Sequence, residues 1–138
     1  MTPERYLELQ FKKSIHHGHI HNAELNPVPS EPVIAKLEDK ESCVVLVRNK
    51  RQQCLWFTDS RLLRQDASEV IELFHYKSVR AVHWMSREHP FSVSKTEHFD
   101  RLEVDLDEGG VEIDGLGQTY LPVFQFLGFV ASRRTAGG

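Results

Sequence analysis

Cys43–Gln65 reads CVVLVRNKRQQCLWFTDSRLLRQ, and the fold class turns on how this stretch pairs with itself. Two apolar runs, Cys43–Val47 and Cys54–Phe57, flank the polar tip Arg48–Gln53, and a third short run, Leu62–Leu63, follows the break Thr58-Asp59-Ser60. β-Branched and aromatic residues bounded by turn formers signal strands, so the stretch predicts an antiparallel hairpin running into a third strand. A tip that turns through Asn49–Gln52 sets Val47 opposite Cys54 and Val45 opposite Trp56. One face then carries Val45, Val47, Cys54 and Trp56, and the other Val44, Leu46, Leu55 and Phe57, because neighbouring side chains alternate. Both faces are apolar and both need cover. That is the pattern of strands inside a small barrel or sandwich.

A chain of 138 residues suffices for one core and is too short for two ordinary ones. Its 40% hydrophobic and 27% charged residues place it among soluble globular proteins. A formal net charge of -3 supplies no bulk attraction to nucleic acid or to an anionic membrane. In the register above the two cysteines, Cys43 and Cys54, are not cross-strand partners, which predicts two reduced thiols. Met1–Lys13 is too charged for a signal peptide, and Tyr120–Ala131 is too short to span a bilayer, so a cytoplasmic protein is expected.

Outward from the hairpin, Thr2-Pro3-Glu4 reads as a capped helix start, although Tyr6–Phe11 also alternates like a strand. Ser14–Pro32 reads as a loop or arm, so residues 1–30 form an N-terminal helix or strand with a histidine-rich arm. If the arm is extended, His17, His19 and His21 share one face and could hold a metal through imidazole nitrogens. No cysteine or second ligand segment accompanies them, which favours a solvated arm, and no cofactor is expected. Ser30–Leu37 reads as a capped helical turn. Strands are expected at Val70–Phe74, Ala81–Met85, His98–Leu106 and Val111–Ile113, with a glycine-bearing turn at Asp107–Gly110. Thr119 is placed to cap a final helix, Tyr120–Arg134, followed by a disordered tail, 135–138. That helix is apolar nearly all round, and Phe126, Phe129 and Val130 are aromatic and aliphatic surplus needing cover. A second copy of the chain is expected to supply it, making a homo-oligomer. The alternative is the N-terminal segment folding back through Tyr6, Leu7 and Phe11.

The order of elements, with Phe57-Thr58-Asp59-Ser60-Arg61-Leu62 between the second and third strands and Tyr76-Lys77-Ser78-Val79 after the fourth, resembles the bacterial pleckstrin-homology-like domains and their GRAM relatives. The resemblance covers roughly residues 31 to 134. It implies a mainly β fold with flanking helices: a seven-strand, partly open antiparallel barrel closed at one end by the terminal helix. It further implies a non-enzymatic module that binds lipid phosphates, peptides or copies of itself. Arg48, Lys50, Arg51, Arg61 and Arg64 resemble the basic hairpin with which pleckstrin-homology domains hold phosphates. The carboxylates Glu97, Asp100, Glu103, Asp105, Asp107, Glu108 and Glu112 oppose a broad membrane-facing field, so phosphoinositide or membrane binding is not expected.

Other classes have less behind them. His83, His89 and His98, with Glu88, Glu97, Asp100 and Ser94, are generic acid–base groups without an ordering partner, and the chain is not read as an enzyme. Gly115-Leu116-Gly117 lacks the βαβ setting of a dinucleotide site. A small partner-neutralising protein of the immunity type is the alternative, on size and acidity. Nucleic-acid binding ranks lowest and is not expected, because Trp56 and Trp84 are needed in the core and no basic stripe interleaves with exposed aromatics.

Overall fold

The computed structural model describes residues 1–18, 20–84 and 101–137, with the side chains of Trp84 and of residues 134–137 excepted. The central hairpin is present as β2 (Cys43–Arg48) and β3 (Cys54–Thr58), but its register is one residue away from the expected one. Arg48 faces Cys54, Val47 faces Leu55, Leu46 faces Trp56 and Val45 faces Phe57. Asn49 causes the slip. Its Oδ1 accepts the N–H groups of Arg51 (3.0 Å) and Gln53 (2.9 Å), and its own N–H donates to the Gln53 carbonyl at 3.0 Å. Gln52 closes the loop at φ 62°. This is a turn followed by one left-handed residue, which occupies one more position than the tighter turn expected.

With that register, Val45, Val47, Leu55 and Phe57 lie in the main core, and Leu46, Cys54 and Trp56 on the opposite face. An irregularity between Cys43 and Val45 lets both Val44 and Val45 reach the main core. A second one, between Leu62 and Leu63, breaks the alternation expected of Val70–Phe74: Val70 packs on the outer face while Leu73 and Phe74 both pack inward. Cys43 and Cys54 are free thiols, and burial pushes the Cys43 thiol up to about 11, with help from the charges of Glu41 and Asp59.

Eight strands among the described residues form two antiparallel sheets, and these do not close into the seven-strand barrel expected. The first sheet has the order β1 (Ala23–Leu25), β2, β3, β4 (Arg61–Asp66), β5 (Glu69–His75). The second contains β6 (Val79–Trp84), β7 (Leu102–Leu106) and β8 (Gly110–Ile113) in that order. A turn of 3₁₀ helix at Tyr76–Ser78 carries the chain from one to the other. β1 falls inside the stretch expected to be an arm: it pairs with β2 through Ala23↔Val47 and Leu25↔Val45.

The N-terminal segment is likewise part of the core. α1 (Pro3–His16) starts where expected, the Thr2 hydroxyl accepting the Arg5 N–H at 3.2 Å, and buries Leu7 and Phe11 completely. It packs on α3 (Tyr120–Gly137), with Tyr6 stacked on Phe129 at 4.0 Å between ring centroids. Phe126 meets Phe57 edge-on at 6.3 Å and Tyr76 at 4.9 Å. Residues of α1, both sheets and α3 therefore share one buried cluster. α3 continues to Gly137 rather than ending at Arg134, and the Thr119 hydroxyl donates back to the Leu116 carbonyl at 2.7 Å.

The outer face of the first sheet has its own small cover. α2 (Glu31–Ile34) and the residues after it lay Val33 and Leu37 over Leu46, Trp56, Leu63 and Val70. Ser30 holds the cap position without capping by its side chain; its hydroxyl donates instead to Gln65 Oε1 (3.0 Å), which also accepts the Trp56 indole N–H at 2.9 Å. No helix among the described residues is long and apolar enough to cross a membrane.

Candidate binding surface

The five cations expected to form one basic patch are put to different uses. Arg61 is enclosed, with its side chain 9% exposed. Its Nε and Nη2 donate to Glu41 Oε2 and Oε1, both at 2.8 Å, Nη1 donates to Glu72 Oε1 at 2.9 Å, and Nη2 also reaches the Lys36 carbonyl. Burial alone would raise the Glu41 carboxyl, but hydrogen bonds from Arg61, from the Thr58 hydroxyl (2.7 Å) and from the Glu38 N–H outweigh it and hold the group at about 2. Arg61 is raised in turn, chiefly by its bond to Glu41. The same knot fixes the turn before β4: Thr58 Oγ1 accepts the N–H groups of Ser60 and Arg61, and the buried Tyr76 hydroxyl donates to the Thr58 carbonyl at 2.6 Å. Arg61 is thus a structural clamp and is not available to a ligand. Its partners Glu41 and Glu72 do not stand out in the sequence. They lie 11 to 20 positions away, and only the β4–β5 ladder brings Glu72 across.

The hairpin tip is braced, not free. Arg51 pairs with Asp114 at 2.7 Å, Arg48 reaches Glu24 at 3.4 Å, and the Lys50 N–H donates to the Gly115 carbonyl at 2.8 Å. Asn22 Nδ2 donates to the carbonyls of both Arg48 and Leu116. Arg64 is half-buried and lines a cavity of about 20 Å³ with Asn49, Leu73 and Asp114. That is room for roughly one water. Gly115 sits at φ 69°, and a Cβ there would lie 2.9 Å from the Lys50 nitrogen. Gly115→Ala is therefore expected to cost about 1–3 kcal/mol, measured by urea denaturation, with the Lys50 amide losing protection from hydrogen exchange.

The extended backbone on which the histidine site depends is absent at His17. α1 runs through His16, His17 caps it and Gly18 turns left-handed, so His17 is not in the extended backbone that would align it with His21. His19 lies outside the described residues, and among those described no group of three His, Cys, Asp or Glu side chains is placed to hold a metal. The His21 N–H donates to Gln118 Oε1 at 2.9 Å, which ties the supposed arm to the start of α3. The self-association surface expected on α3 is also spent within the chain. Phe126 and Val130 are buried and Phe129 lies under Tyr6.

Of the acid–base groups, His83 is placed by β6: its Nε2 lies 2.7 Å from Asp105 Oδ2, a diagonal contact across the β6–β7 ladder. Ser94, His89, His98, Glu88, Glu97 and Asp100 lie outside the described residues. A cleft of about 360 Å³ separates β5 residues Glu72–His75 from the β7–β8 turn, Leu106–Glu108, with Ser78 at one end, and a second hollow of about 390 Å³ lies at Glu103 and Gly110–Glu112. The size of the cleft falls within the range of ligand sites. Glu72 bridges Arg61 and His75 Nε2 (3.0 Å) on one wall, and Asp107 and Glu108 are exposed on the other. No protein-family model, curated protein or solved structure matches this chain.

Proposed function

We propose that this chain is a non-enzymatic binding module of pleckstrin-homology-like architecture, and that it holds a protein partner in the cleft beside β5. Support for the architecture comes from the succession of β2–β5, then β6–β8, then α3, which is the order the resemblance implies. Further support comes from the use made of the two phrases that carry the resemblance: Phe57–Leu62 and Tyr76 are joined in one hydrogen-bonded knot. A lipid-phosphate role for the hairpin has less behind it, since Arg61 is enclosed and Arg48 and Arg51 face carboxylates.

The single observation that carries the binding role is the cleft itself, bounded by the last strand of one sheet and a turn of the other. A photoreactive residue placed at Glu108 and activated in the native host tests it. One dominant protein adduct is expected from that position and none from a control at Glu4 on α1. The same adducts from both positions would defeat the proposal.

A further inference from the structure

We propose that the outer edge of β5 accepts an extended peptide segment bearing basic side chains, as an added antiparallel or parallel strand. This deepens the reading above and rests on it. The hairpin joining β4 to β5 has a two-residue turn, Ala67-Ser68, flanked by the pair Asp66↔Glu69. In such a hairpin the flanking pair is hydrogen-bonded and the pairs alternate outward from it. Arg64↔Ile71 is then also a bonded pair, and Val70 and Glu72 turn their N–H and C=O groups away from β4. Among the described residues β5 is the last strand of its sheet. An edge of this kind is a template for a further strand, and the cleft leaves space beside it at Glu72–His75.

Charge selects the occupant. Glu69, Asp107 and Glu108 are exposed along β5 and the facing turn, against Lys77 and His75, while Glu72 is shared by Arg61 and His75. Arg61 is spent on Glu41 and Glu72. A segment alternating basic and small apolar residues places cations toward these carboxylates and its backbone against β5; an acidic segment meets like charge.

The test uses the whole chain and a short peptide alternating Lys and Val, with a Glu–Val peptide of equal length as counterpart. The Lys–Val peptide is expected to bind at least about tenfold more tightly, to weaken with salt, and to slow exchange of the Val70 and Glu72 amides. Replacing Glu69 and Glu108 by Lys should remove most of the difference between the two peptides. Equal affinity for both peptides overturns the proposal, as does protection of amides elsewhere. Slowed exchange at Val70 and Glu72 that grows with protein concentration alone assigns the edge to a second copy, and overturns it too. A Glu108 adduct in the host without any peptide effect at β5 would leave the binding module standing and remove only the added strand.

Discussion

Arg61→Ala is expected to lower the free energy of unfolding by about 3–5 kcal/mol, read as a fall in the urea midpoint. The loss comes less from the missing attraction than from what is left behind. Glu41, with its side chain 3% exposed, becomes a buried carboxylate without its counter-charge. Against a total stability of about 5–15 kcal/mol this is a large fraction. Replacing both residues at once, Glu41→Leu with Arg61→Met, should cost much less than Arg61→Ala alone, because no charge is then stranded. Equal costs for the single and double variants would mean that the pair is not the clamp described here.

The same pair sets an acid limit. Glu41 is held at about 2 in the folded chain against an ordinary 4.5, so its contribution is complete above pH 4.5 and is lost as pH falls toward 2. At ~1.4 kcal/mol per pH unit, the difference amounts to about 3 kcal/mol. Between pH 5 and pH 2 the natural chain should lose about that much more stability than Glu41→Gln, which lacks the titrating group; parallel acid titrations of urea unfolding check it. Arg61 moves in the opposite sense: its raised value keeps its contribution intact until strongly alkaline pH, so it adds no acid dependence.

Phe11→Ala carries the second large effect, about 3–5 kcal/mol, measured by thermal or urea unfolding. Phe11 is fully buried, 6.4 Å from Phe57 between ring centroids, and belongs to the cluster that includes Leu102 and Phe126. Leu9, two positions earlier and on the outer side of α1 at 37% exposure, should change stability by no more than about 0.5 kcal/mol when cut to Ala. A chain whose first thirty residues were a separate arm would show no cost at Phe11.

The strands were legible where β-branched and aromatic residues were dense, and Trp56 and Phe57 do occupy opposite faces of the sheet. The register was not, because Asn49 builds its loop with a side-chain oxygen and no glycine at the tip signals the longer turn. β1 was hidden by its length of three residues and by Ala-Glu-Leu, which lacks a strand signature. The knot was half legible. The turn Thr58–Ser60 and the inward Leu62 could be read locally, whereas Arg61 looked like one more surface cation because its carboxylate partners are distant in the chain. The fold-back of α1 stood as an open alternative to self-association. Apolar spacing shows that a helix needs cover and does not show which surface provides it.

The stacking of Tyr6 on Phe129 joins segments more than a hundred positions apart, and Arg133 extends the contact by donating to the Met1 carbonyl. During synthesis α1 precedes the eight described strands, whereas its partner helix follows them. Phe11 can meet Phe57 once β3 exists, but the contacts of α1 with α3 form only after both sheets have been synthesised. The last step of closing this core is therefore a long-range one.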